Sequence, residues 1–310
     1  MSELLDVQQK LQDTVAMLAE LERAVAARPD DPYLALNMKS IQKRRRQLEE
    51  QFSALAETSG VDVCNYVLLP QNGDPELAGV TSALSDYQNL VTIFYDVVKN
   101  RTPKRRANVS AEVVRESSFQ FGYAYAGSIG FVLRMPNERL MLGETNLDEA
   151  MRLITEVAHA EKPEDVLTHA RKLGPAPIRI LYKWAEDHVK SAFSAQIEWR
   201  RGQAVHSTML MQKPEFERLL QIISQTTEEE TEQITITGVL LGINIKTNRF
   251  ELQPDVGDDQ IKGSLRVTLD LAHPAPVPGR YRATISKTTV IRYSTEEEKP
   301  FYELLRLDPA

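Results

Sequence analysis

Two prolines interrupting a helical repeat constrain this chain more than any other feature. Leu4, Val7, Leu11, Thr14, Leu18, Leu21 and Val25 step by three and four, the spacing of a coiled-coil seam. The pattern stops at Arg28-Pro29-Asp30-Asp31-Pro32 and resumes at Leu34, Met38, Ile41, Arg45, Leu48, Phe52 and Leu55. A five-residue break with two prolines cannot continue a helix but can reverse it, so residues 1–58 read as an antiparallel coiled-coil hairpin. Asp30 or Asp31 supplies an N-cap for the second helix, and Gly60 a left-handed stop beyond it. Such a pair covers its own seam only. Leu5 and Met17 on the first helix and Leu36 on the second flank it, with small alanines between, and are the expected oligomerisation residues of a dimer or tetramer.

Beyond the hairpin the chain divides in two. Val61 to Leu69 is apolar on both faces around Tyr66-Val67-Leu68-Leu69, the character of a central strand. A long amphipathic helix carries Val80, Leu84, Tyr87, Val91, Phe94 and Val98 on one face. Two or three strands are expected between Val109 and Arg134, then three helical pieces from Asn146 to Phe193, a hairpin around Arg201-Gly202, and a helix from Pro214. Thr226 to Glu232 is acidic and offers little to bury, so it reads as a linker. After it, alternation at Val239, Leu241, Ile243 and Ile245, at Phe250 and Leu252, at Leu265, Val267, Leu269 and Leu271, and at Tyr281, Ala283 and Ile285 predicts about five or six short strands. The fold class is therefore α+β and multidomain: the hairpin at 1–58, a mixed α+β domain at 61–225, and a small β-barrel of the OB or SH3 kind at 233–308.

Composition limits the functions available. The 310 residues carry a formal net charge of −7, which opposes a general nucleic-acid coat or a basic membrane binder. Cys64 is the one cysteine, so neither an internal disulfide nor a multi-cysteine zinc site can form. The acidic, amphipathic start does not read as a signal peptide, and no apolar run approaches the roughly 20 residues needed to span a bilayer. These features predict a cytoplasmic protein without membrane association.

Motifs that carry chemistry fail on inspection. Ala126-Gly127-Ser128-Ile129-Gly130 is one residue short of a nucleophile elbow and is followed by a strand where a helix is required. His159-Ala160-Glu161 matches half of a zinc deaminase signature whose other half needs two cysteines. Glycine-rich phosphate loops are absent, and no cofactor is expected. The row Phe119, Phe121, Tyr123 and Tyr125 alternates with small or polar residues; it reads as core beneath the helix bearing Val91 and Phe94, with a base-stacking surface as the alternative. Lys43-Arg44-Arg45-Arg46 spreads around a helix and faces intrahelical glutamates, which favours ion pairs over a basic patch. The loop residues Lys99, Arg101, Lys104, Arg105 and Arg106 form the only basic cluster with a candidate role, contact with nucleic acid or another partner.

Taken together, these features favour a non-enzymatic, self-associating scaffold or accessory subunit that binds a protein partner through its middle domain or barrel. Nucleic-acid binding through residues 99–106 and the barrel is the competing reading, and an enzyme of unrecognised type the third.

Overall fold

Helix α1 (Ser2–Ala27) and helix α2 (Pro32–Thr58) fold back on each other as the interrupted repeat requires. Asp31 caps α2 by accepting from the backbone N–H of Tyr33 (3.0 Å) and Leu34 (3.4 Å), with Pro32 in the first turn. Gly60 then turns the chain out with a left-handed φ of 66°. The computed structural model describes residues 2–71, 74–125, 129–136, 144–202, 204–257, 259–266, 276–295 and 298–310, without the side chains of Ser2, Leu5, Pro136 and Glu298. Among the described residues there are eight helices and two sheets, arranged as two units, Met1–Gln225 and Thr226–Ala310. The hairpin thus belongs to the same unit as the mixed α+β region. No described helix is long and apolar enough to cross a membrane.

The first unit is built on a five-stranded antiparallel sheet in the order β2-β3-β1-β4-β5. Strand β1 (Val61–Pro70) lies in the middle, paired with β3 (Ile129–Pro136) on one side and β4 (Phe193–Arg201) on the other. Strands β2 (Gln120–Tyr125) and β5 (Ala204–Met211) form the edges. One face of the sheet receives the base of the hairpin: Leu4, Val7, Leu11, Leu48, Phe52 and Ala56 pack with Val63, Tyr123 and Val132. The other receives α3 (Leu77–Asn100) and α7 (Pro175–Lys190), with α5 (Asn146–Ala158), α6 (Pro163–Leu173) and α8 (Lys213–Gln225) packed around them.

Two expectations fail in this unit. The segment after Val109 begins as a helix, α4 (Ala111–Ser117), because Ser110 accepts from the Val113 N–H and Glu112 suits the first turn. The aromatic row does not share one burial site. A bulge between Phe121 and Tyr123 breaks its period. Phe119 stacks on Tyr87 of α3 at 5.5 Å, whereas Tyr123 is buried against Phe52 of the hairpin at 6.0 Å, and Phe121 is 58% exposed.

The second unit is a closed ring of five strands. Strand β6 (Thr227–Asn244) pairs with β7 (Arg249–Pro254) and β9 (Gly279–Arg292), β7 with β8 (Ile261–Leu265), and β10 (Glu298–Pro309) with both β8 and β9. Among the described residues of this unit, only the β8–β10 pairing is parallel. Leu240, Phe250, Leu252, Ile261, Ala283, Ile285 and Leu304 fill it. The predicted alternation at Val267, Leu269 and Leu271 lies outside the described residues. The predicted linker is instead the first third of β6, facing β9. Glu232 meets Lys287 at 2.7 Å, the Thr231 and Thr288 hydroxyls bond at 3.0 Å, and Tyr293 donates to Glu228 at 2.7 Å. An acidic run with nothing apolar to bury still forms strand when the opposite strand supplies cations and hydroxyls.

Candidate functional site

The hairpin changes character along its length. At the base, Leu4, Val7, Leu11, Leu48 and Phe52 are buried, but Leu21, Val25, Leu34 and Ile41 toward the tip are only half covered. There Met17, Leu21, Ala24 and Ile41 line a shallow groove of about 520 Å³ together with Glu20, Asn37 and Ser40. Met17 is 50% exposed, Leu36 66% and Tyr33 77%. Of the three expected oligomerisation residues, Met17 and Leu36 therefore stand at the surface; the Leu5 side chain lies outside the described residues.

Between the hairpin base and the sheet is a second opening, about 250 Å³, whose polar groups already satisfy one another. Arg45 bonds to Glu49 at 2.7 Å and lies over the Tyr125 ring at 5.3 Å. The Tyr125 hydroxyl donates to Asn65 at 2.8 Å, and Arg200 pairs with Glu198 two residues away on β4. Burial raises the Tyr123 and Tyr125 phenols, so both stay protonated at neutral pH and neither serves as a base. Arg45, a seam position in the repeat, sits where that seam meets the sheet.

Two buried polar clusters of the first unit are similarly closed. The Trp184 indole donates to the Tyr66 hydroxyl (3.0 Å), which is 2.8 Å from His188 Nε2, while His188 Nδ1 lies 2.8 Å from the Trp184 carbonyl. This chain of bonds fits a neutral imidazole, and burial lowers the His188 pKa to about 4. Arg201 bridges buried Asp62 (3.0 Å) and Asp148 (2.6 Å); Asp148 also accepts from Thr145 in a capping box and lies 3.2 Å from His206. Losing one partner of such a network strands a buried charge, at a cost of about 3–5 kcal/mol. Burial pushes the Cys64 thiol up to about 12, which leaves it unreactive. Among the described residues no group of three side chains is arranged to hold a metal ion. The serine of the elbow-like segment, Ser128, lies outside the described residues.

The basic loop divides into residues with different fates. Lys99 pairs with Glu112 (3.1 Å) and Glu116 (2.7 Å), and Lys104 with buried Asp96 (2.6 Å). The Lys104 backbone is also fixed, bonding through its N–H to Leu173 and through its carbonyl to the Ala176 N–H. Gly174 permits this approach: a Cβ there would lie 2.3 Å from the Lys104 carbonyl oxygen, and its φ is 85°. The Arg105 carbonyl accepts from Arg179, and Arg106 is exposed. Arg101 faces a different environment, a cleft bounded by α3, α5 and α6. Helical periodicity gives no sign of that cleft, because its walls come from three separate helices, α3, α5 and α6. No family model, no curated protein and no solved structure matches this chain.

Proposed function

We propose that this chain is a non-enzymatic, self-associating scaffold or accessory subunit. The tip of its hairpin docks a second copy, and the sheet or the ring of strands holds a protein partner. The observation that carries this is the exposure of Met17, Tyr33 and Leu36 beside a seam that is only half covered. Two helices cannot cover both sides of their own apolar stripe, and a second hairpin completes a four-helix bundle with two-fold symmetry. Light scattering at micromolar concentration tests the reading. The full chain is expected to be a dimer or larger, and Met17→Glu with Leu36→Glu to be monomeric at unchanged helix content. A monomeric wild type overturns it.

The second reading is nucleic-acid binding, with the ring taken as a small barrel of the OB or SH3 kind. It is favoured by the strand order, in which the third and fifth strands of the unit pair in parallel, and by Phe301. That side chain is 60% exposed and shares a recess of about 110 Å³ with Val290, Arg292 and Lys299. An exposed aromatic beside cations is the chemistry that stacks unpaired bases. The charge of −7 and the ion-paired state of Lys99 and Lys104 weigh against it. Fluorescence anisotropy of a labelled single strand at low salt separates the readings, since the scaffold leaves it unbound.

A further inference from the structure

The cleft between α3, α5 and α6 has a volume of about 460 Å³, within the range of small-molecule sites. Its apolar wall includes Val97, Val98 and Leu153, and two of its three cations come from helix ends. Arg101 directly succeeds α3, and Lys172 lies in the last turn of α6. Neither side chain has an ion-pair or hydrogen-bond partner among the described residues, in contrast with Lys99 and Lys104 nearby. His169, also in the wall, encloses its Nδ1 without a partner. The carboxylates present, Glu149 and Glu156, are both engaged by Arg152, at 3.9 and 2.5 Å.

Cations in the last turn of a helix complement its dipole, which alone accounts for Lys172. It does not account for Arg101, held at φ 49°, ψ 38° where glycine or asparagine is the usual residue. Arg101, Arg152 and Lys172 against Glu149 and Glu156 leave the lining one positive charge in excess. That balance suits a ligand with one anionic head, not a polyanionic strand.

We infer that this cleft binds a small organic oxyanion, a carboxylate or phosphate head gripped by Arg101 and Lys172 with a short apolar body against Val97, Val98 and Leu153. Arginine's planar fork and the lysine point charge both recognise such heads. Binding of this kind is independent of self-association.

Isothermal titration of the full chain with phenyl phosphate and with benzoate tests it. At least one probe is expected to bind saturably, and the tighter of the two identifies the head; inorganic phosphate, lacking the apolar body, binds more weakly. Arg101→Asn keeps a residue that tolerates the left-handed backbone while removing the charge. It and Lys172→Gln are each expected to weaken binding roughly tenfold to a hundredfold, the loss of one charged hydrogen bond. Lys10→Gln, which disturbs only an exposed pair with Asp6, leaves affinity unchanged. Failure of both probes to saturate at millimolar concentration overturns the inference. So does binding that survives both cleft substitutions, with circular dichroism confirming that the variants are folded.

Discussion

The two faces of the central sheet are made by alternate residues of the same strands, yet they are finished differently. Toward the helices, β1 presents Asp62, Cys64, Tyr66 and Leu68, all buried, and the Tyr66 ring stacks on Tyr87 at 4.7 Å. Toward the hairpin it presents Val63 and Asn65, which share an open cleft with Arg45 and Tyr125. Helices packed side by side seal the first face; there the polar atoms of Tyr66, Trp184 and His188 find protein partners, and the Trp199 indole nitrogen is enclosed without one among the described residues. The two hairpin helices reach the second face only with their basal turns and seal only part of it. The number of covering elements, more than the composition of the strand, decides which face is dry.

The largest expected effect lies on the sealed face. Trp184 is fully buried, edge-on to Phe216 at 5.0 Å and bonded to Tyr66. Trp184→Ala should cost about 3–5 kcal/mol in urea denaturation, with the Tyr66 hydroxyl losing its donor. Phe52→Ala tests the hairpin face. It should cost about 3 kcal/mol, near the lower limit for such truncations, because water from the adjoining cleft can enter the space left. Equal losses at the two positions would remove the distinction between the faces.

A smaller effect sharpens the comparison through pH. Asp187, at the rim of the sealed face, is pushed up to about 6 by burial and by neighbouring Asp86, against the opposing pull of Lys183 and Lys190. His188, inside, is lowered to about 4. The folded state binds the Asp187 proton more tightly than the unfolded chain, so this residue makes stability fall as pH rises from about 4 to 6. His188 binds its proton less tightly when folded, so it makes stability rise from about 4 to 6.5. The slopes oppose each other. Asp187→Asn should leave the His188 slope uncovered and raise stability at pH 7 by about 1 kcal/mol, a value reduced because Asp187 is only half-buried. Thermal denaturation at pH 4, 5, 6 and 7 measures it, and a variant with the wild-type profile would show that the Asp86–Asp187 contact carries no such penalty.

Local periodicity makes much of the first unit legible. The seam of α1 and α2, the two-faced apolar run of β1 and the three helices from Asn146 onward are patterns that a few neighbouring residues define. Features that depend on a distant partner are hidden. Thr226–Glu232 has no apolar signal, and residues 227–232 become strand by pairing with β9, with Lys287, Thr288 and Tyr293 facing them. Tyr123 alternates with its neighbours but is buried by Phe52, about seventy residues earlier. The basic loop is visible as charge, whereas the acids that neutralise Lys104 and Lys99, and the cleft that Arg101 lines, arise from helix packing.

Both tryptophans of the chain, Trp184 and Trp199, are fully buried in the first unit, and residues 226–310 contain none. Light at the red edge of protein absorption, taken up by indole alone, is therefore emitted from one unit, and the ring of strands is dark to it. A fluorescence melt tracks the sheet and its helices whatever the ring is doing, while circular dichroism tracks both. Where the two curves separate, the units unfold independently. The Trp184 emission carries a second signal, because its neighbour His188 quenches more strongly as the cation. Dimming as the pH falls toward about 4, before the melt itself begins, would report the protonation of one buried ring.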